Sequence, residues 1–372
     1  YTENGRFYMI MMNGALLACF LSLVFTPAVI WLCHRRGWYD RLDSRKIHTG
    51  RIPRLGGIAI FASFALTVVA GSLFGLRNRP GQAWTGEFLP VTLALIAVFS
   101  AGLLDDFRPV RAGYKFIIQL FAASVVVAAG FHFRYMVLPF APYRLDFGWF
   151  GYPLSVFWIV GITNAINMID GMDGLSGGIA MIAAGVYGML YSSLGGLVPG
   201  LLAFSLAGAV IGYLFFNLPP ARIFLGDAGA YFIGFLLAVL PLLHQGRYTA
   251  KFGILGAITV LAVPVLDVFA AIWRRVRDKH SVMAPDRYHL HHKLMALGFS
   301  TRQILAIVYA SGIFLGATAI SALYLPLAWS FSLMVGAWIL FSALFGLLHV
   351  FKARETVLIK AEHTGSGADC QG

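Results

Sequence analysis

The stretch PGLLAFSLAGAVIGYLFF, from Pro199 to Phe216, runs for 18 residues without a charge, long enough as a helix to cross most of the roughly 30 Å hydrocarbon core of a bilayer. It is one of eleven such runs, at 9–33, 58–75, 89–104, 114–130, 154–168, 175–194, 199–216, 229–243, 253–273, 304–323 and 327–350, separated by glycine, proline or charged breaks. The composition agrees. Of 372 residues 59% are hydrophobic and 12% charged, where a soluble domain carries about 25% charged. A soluble globule, a disordered chain, collagen and a coiled coil are all excluded by those figures. The sequence predicts an all-α polytopic membrane protein of about 11 transmembrane helices.

Charge sets the orientation. The inner segments would be the loops 34–57, 105–113, 169–174, 217–228 and 274–303 and the tail 351–372. With Lys115 at a helix mouth they hold 21 of the 28 Lys and Arg, which predicts an N-out, C-in chain by the positive-inside bias. The net charge of +12 therefore reads as headgroup contact, and nucleic acid is set aside. The first run leads straight into His34-Arg35-Arg36 without a small-residue cleavage site, as a retained helix does. Residues 1–350 read as a single transmembrane domain and 351–372 as an unstructured cytoplasmic tail. On the outer side, aromatic and polar residues alternate on both sides of Pro139-Phe140-Ala141-Pro142, predicting a short β-hairpin within 131–152. Gly71/Gly75, Gly208/Gly212 and Gly312/Gly316 stand in G-x-x-x-G frames, which close helix packing explains. Cys19, Cys33 and Cys370 offer neither a disulfide framework nor a C-x-x-C ligand pair.

Polar residues gather at one face. Asp105, Asp106, Asp170, Asp173, Asp227, His289, His291 and His292 all fall at helix ends or in inner loops, and Asp267 is the main ionisable residue inside a span. Asp105 and Asp106 end the third span, where the helix dipole disfavours anions, and Lys115 opens the fourth, where it disfavours cations. A short connection lets these wrong-signed groups meet, so their purpose is not helix stability. In N164-A-I-N-M-I-D-G-M-D-G-L-S-G-G178 the steps Asn164 to Asn167 and Asp170 to Asp173 suit one face of a helix or helical turn; that the two asparagines merely cap or bridge helices is the lesser reading. This stretch fails the calcium-loop pattern, and its G-x-S-x-G leads into a membrane helix rather than out of a strand.

Asp227 in I223-F-L-G-D-A-G-A230 admits two readings, a helix N-cap or a Mg²⁺ ligand. The loop 274–303 holds Arg287 and H289-L-H-H292. Histidines facing carboxylates suit the grip of a diphosphate better than zinc, for which no Cys or Glu completes a set. A P-loop is absent from the sequence. A secondary transporter would set its polar groups near the midplane on broken helices, and a lipid-binding protein would not need clustered aspartates.

Together D105-D-F-R-P-V-R-A-G-Y-K115, N164-A-I-N-M-I-D-G-M-D-G-L175, F224-L-G-D-A-G-A230, H289-L-H-H292 and R45-K-I-H-T-G-R-I-P-R-L-G-G57 resemble the polyprenyl-phosphate N-acetylhexosamine-1-phosphate transferases. The H-L-H-H form is more similar to the WecA/TagO branch, which uses UDP-GlcNAc, than to the peptidoglycan MraY branch. The resemblance implies a bacterial inner-membrane enzyme with its active site facing the cytoplasm. It would transfer GlcNAc-1-phosphate from UDP-GlcNAc to a polyprenyl phosphate at the first membrane step of O-antigen, common-antigen or teichoic-acid-type glycan synthesis. Another UDP-HexNAc and UDP-MurNAc-pentapeptide stay open as donors, and a homodimer is compatible with the reading.

By the same resemblance Asp105, Asp106 and Lys115 carry the catalysis. Asp227 and Asn167 would hold Mg²⁺, or Mn²⁺ in its place. Asn164, Asp170, Asp173, Arg287, His289, His291 and His292 would bind the nucleotide sugar, and Arg45, Lys46, His48 and Arg54 would meet the lipid phosphate.

Overall fold

The computed structural model describes residues 3–39, 52–75, 86–137, 144–243, 249–279 and 289–365. Its helices, in chain order, are α1 (Glu3–Arg36), α2 (Gly56–Ala70), α3 (Leu89–Phe107), α4 (Ala112–Ala128), α5 (Gly151–Ile169), α6 (Leu175–Leu194), α7 (Leu197–Asn217), α8 (Gly226–Val239), α9 (Thr249–Val260), α10 (Ala262–Arg277), α11 (Leu290–Ala296), α12 (Thr301–Tyr324) and α13 (Leu327–Gly365). Each apolar run of the sequence falls on helix. Among the described residues eight helices are long and apolar enough to cross a membrane, and a ninth span results if the bent α9–α10 pair is one. Ala112–Ala128 and Gly226–Leu242 are apolar but shorter.

The ninth run departs from a straight span. Its two parts meet at 84° across Leu261. The break is local: Leu261 leaves the helical region at φ −102°, ψ 20°, and Pro264 stands in the first turn of α10, where proline's missing N–H costs no bond. Asp267 therefore sits on a redirected helix and not halfway along a straight one. A second departure is at the end of the chain: α13 continues to Gly365, past the point where the unstructured tail was expected. No proline or glycine interrupts 351–364.

The expected hairpin is present as two short antiparallel strands, β1 (Tyr135–Val137) and β2 (Arg144–Asp146), with Met136 opposite Leu145. The expected turn at 139–142 lies outside the described residues.

At the centre stands α8, every one of whose residues is buried. Small residues let its neighbours close on it. A Cβ at Gly57 of α2 would strike the backbone of Gly229, and one at Gly102 of α3 would strike that of Ala228. The same device joins α1 to α7, where Gly208 and Gly212 lie against the backbone of Ala15 and Cys19. Phe61, Phe64 and Phe99 cluster around Phe232 of α8, with Phe61 and Phe99 stacked at 4.1 Å between centroids.

Candidate active site

The site forms at the N-terminal end of α8. Backbone bonds lace the segment before α2 to the segment before α8: Phe224 N donates to the Pro53 carbonyl, Gly56 N to Phe224 and Gly57 N to Leu225, at 2.8, 3.0 and 2.8 Å. This ribbon joins R-I-P-R-L-G-G to F-L-G-D-A-G-A. At its turn Gly226 has φ +76°, and a side chain there would collide with the Arg54 carbonyl and the Asp106 carboxylate, so only glycine fits.

Asp106 decides the question of the cap. Its carboxylate, on the last turn of α3, accepts from Asp227 N at 2.8 Å and Ala228 N at 3.0 Å. The first N–H groups of α8 are thus capped by another helix, and an anion at that end also suits the dipole. Asp227 makes no side-chain cap of its own helix.

Asp227 is instead turned to two cations. Arg54 Nη2 donates to Oδ1 at 2.5 Å and Lys115 Nζ to Oδ2 at 2.9 Å. Lys115 also reaches Asp105 Oδ2 at 3.1 Å and lies 5.7 Å from the Tyr231 ring centre, while Arg54 Nε stands 3.5 Å from Asp106. Three carboxylates and two cations so form one lattice. Its interior is nearly dry, with the side chains of Asp106 and Asp227 0% and 8% exposed, but Arg54 is 36% exposed and opens it to the outside. The meeting of Asp105 with Lys115 follows the expectation from their wrong-signed positions. Arg54 belongs to this lattice.

The second part is the turn after α5. Asp170 accepts from Ser176 Oγ at 2.5 Å. Burial pushes its carboxyl up to about 6, against the Ser176 hydroxyl and Arg54, which pull it down. Asp173 accepts from Ala221 N at 3.0 Å and so holds the turn that follows α7. Asn217 clamps both strands of the junction, accepting from Gly174 N at 3.0 Å and donating to the Ile223 carbonyl at 2.8 Å. Tyr309 donates to the Gly174 carbonyl at 2.6 Å and packs so closely on Gly178 that a side chain there would enter its ring.

Asn164 and Asn167 share a face of α5. The Asn164 amide donates to Gln119 Oε1 at 2.6 Å and to the Val160 carbonyl at 2.8 Å. Both amide protons are then engaged, so Asn164 can offer a ligand only its oxygen. Asn167 is half-buried one turn further on.

The histidines form the third part. His291 packs against Gly171, at the Asp170 turn, with its ring parallel to that of His289 at 6.1 Å and 4.2 Å from that of His292. Burial first, and then His292, push His291 down to about 4, with Asp267 opposing. It is a neutral ring at neutral pH, and donates one hydrogen bond rather than a charge. Arg45, Lys46, His48 and Arg287 lie outside the described residues.

Sequence reasoning set Ser176 aside with its G-x-S-x-G and passed over Gln119, Asn217 and Tyr309. Asn217 alone carried a signal, as the one polar residue closing an 18-residue apolar run before Leu218-Pro219-Pro220.

Carboxylates, cations and histidines converging at one end of an all-helical bundle define a polytopic membrane enzyme equipped to handle highly charged substrates. The chain belongs to glycosyl transferase family 4, whose family model matches residues 88–245. It is 35% identical over 298 residues, 80% of this chain and 81% of the relative, to a probable undecaprenyl-phosphate N-acetylglucosaminyl 1-phosphate transferase of Bacillus subtilis (strain 168). An undecaprenyl-phosphate alpha-N-acetylglucosaminyl 1-phosphate transferase of Yersinia pestis is 29% identical, over 80% of each chain. A decaprenyl-phosphate N-acetylglucosaminephosphotransferase of Mycobacterium tuberculosis (strain ATCC 25618 / H37Rv) is 31% identical over 79% of this chain and 78% of its own.

Proposed function

We propose that the protein transfers GlcNAc-1-phosphate from UDP-GlcNAc to a polyprenyl phosphate, giving polyprenyl-diphosphate-GlcNAc and UMP, at the cytoplasmic face of a bacterial inner membrane. The observation that carries this reading is the lattice of Asp105, Asp227, Lys115 and Arg54, with Asp170 within electrostatic reach of Arg54 and Asp227 and His291 packed on Gly171 beside it. Three of the relatives are named for this transfer to undecaprenyl or decaprenyl phosphate.

The reaction forms a bond between a lipid phosphate oxygen and the β-phosphorus of UDP-GlcNAc and breaks the bond to the UMP oxygen, which leaves with the electron pair. A phosphate monoester with a second pKa of about 6 is already largely dianionic near pH 7, so no base is needed to prepare it. What the protein must supply is position and positive charge. Lys115 and Arg54 provide charge at the transferred group, and Asp105 and Asp227 orient them. Asp106 holds α8 in place. Asp170 and Asp173 shape the nucleotide's seat, Asn164 accepts a donor of the nucleotide sugar, and His289, His291 and His292 donate to the diphosphate with Arg287. Arg45, Lys46 and His48 meet the lipid phosphate.

The hard oxygens of Asp105 and Asp227, close enough to share one ammonium, fit Mg²⁺. Among the described residues no three His, Cys, Asp or Glu side chains make a ready cage, and Mg²⁺ commonly takes only one or two carboxylates when phosphates supply the rest. Asp227 with Asn167 would hold it, and Mn²⁺ would serve likewise. Bound there, the ion would neutralise charge on the diphosphate.

The test is UMP release by the purified chain. UDP-GlcNAc with polyprenyl phosphate should turn over and UDP-MurNAc-pentapeptide should not. Equal turnover of the muramyl donor would refute the GlcNAc assignment and leave the reaction class, and no UMP from any UDP-HexNAc would refute the reaction itself.

A further inference from the structure

Asp267 lies on α10, outside the aspartate lattice, and is 1% exposed. One of its oxygens accepts from His289 Nδ1 at 2.8 Å and the other from Leu290 N at 2.8 Å, the first N–H of α11. A single carboxylate therefore fixes both the ring that begins the histidine motif and the start of the helix that carries the rest of it. With Nδ1 given to Asp267, Nε2 is the ring nitrogen left to a ligand. Facing the oxygens of a diphosphate, Nε2 has to donate, so the ring carries a proton on both nitrogens while substrate is bound. The Asp267 carboxylate then supplies the counter-charge.

We propose that Asp267 is a positioning residue of the transfer, acting through His289 so that Nε2 is aimed at the diphosphate of the nucleotide sugar. The inference rests on the transferase reading and adds to it a residue that touches no substrate. It also explains why an aspartate stands at this place on the redirected α10, some 22 residues before the histidine it serves.

The competing account is that Asp267 only anchors α11. Asparagine separates the two. Asp267→Asn keeps an oxygen for Leu290 N, but its amide can only donate to His289 Nδ1. The ring is then driven to the other tautomer and cannot hold a second proton there. A plain anchor would tolerate this change, whereas a residue that aims the ring and balances its charge would not, because the neutral ring still donates from Nε2 but brings no positive charge to the diphosphate.

The experiment measures UMP release by the full chain, unmodified and as Asp267→Asn, His289→Ala and the double variant, each with a thermal melt in detergent. The expected result is a fall in kcat/KM for UDP-GlcNAc of about 10- to 100-fold for Asp267→Asn, the size of effect that losing such an outer partner has at metal-binding histidines. The KM for polyprenyl phosphate and the melting temperature should be unchanged, and Asp267→Asn should cost nothing further in the His289→Ala background. Full activity of Asp267→Asn would overturn the proposal. So would an equal loss in both backgrounds, or a variant that no longer folds, since either makes Asp267 an anchor. If the unmodified chain releases no UMP from any UDP-HexNAc, the transferase reading fails and the proposal with it.

Discussion

Replacing Asp106 by alanine would remove the side-chain acceptor that α3 gives to the first turn of α8. Two N–H groups, Asp227 N and Ala228 N, lose a carboxylate that is wholly enclosed. A hydrogen bond to a charged acceptor is worth about 1.5–3 kcal/mol net, so the loss is about 3–6 kcal/mol. Asp106→Asn keeps one oxygen and should cost about half of that. In a chain of this size the alanine change corresponds to a fall in melting temperature on the order of 5–10 °C. The assay is a thermal melt of the purified protein in detergent, with UMP release measured on the same preparations. Alanine should lower both, with asparagine between it and the unaltered chain. An Asp106→Ala protein that melts with the unaltered chain while losing its activity would refute the capping argument and put this carboxylate at the substrate.

Three further outcomes follow from the same geometry. Asp227→Asn should leave the fold intact, since Asp227 caps nothing, yet raise the Mg²⁺ needed and lower UMP release by about 10²-fold or more; ordinary activity at ordinary Mg²⁺ would contradict a ligand role. Asp170 has a folded pKa raised above its unfolded value, so the folded chain binds the extra proton and the stability gained from it, full below about 4, is lost as pH rises through about 6. Asp170→Asn should therefore melt higher than the unaltered chain at pH 7.5, and the difference should fade by pH 4. Single cysteines at Asp146 and Asp278, in a background lacking Cys19, Cys33 and Cys370, should react oppositely with an impermeant thiol reagent on intact cells; equal labelling would reject the N-out, C-in arrangement.

The bundle was legible in the sequence because a membrane allows so few backbone solutions: an apolar run of sufficient length has to be helical. The hairpin was legible from alternation. Local rules also foretold that Asp105 and Lys115, each at the wrong end of its helix, would find one another. What sequence could not show is which partner a polar group takes across the fold. Asp227 satisfied the pattern of an N-cap, yet the acceptor came from Asp106, about 120 residues earlier. Asn164 suited a ligand better than a helix bridge, yet its amide protons are bound to Gln119 and Val160. The bend at Leu261 did leave a trace, since Pro264 inside an apolar run marks either a kink or a fresh helix start.

Depth follows from the length of α8. With the turn that extends it to Leu242, it measures about 25 Å at 1.5 Å per residue, some 5 Å less than the hydrocarbon slab it stands in. Being enclosed on all sides by protein, it meets no lipid that could thin to match it. Its charged end nevertheless starts level with the last turn of α3, whose Asp106 caps it, and with the first turn of α4, which carries Lys115. A phosphate carried on an isoprenoid anchor need not be lifted out of the membrane to reach Lys115 and Asp227. The soluble nucleotide meets it at that level, among the ends of α3, α4 and α8.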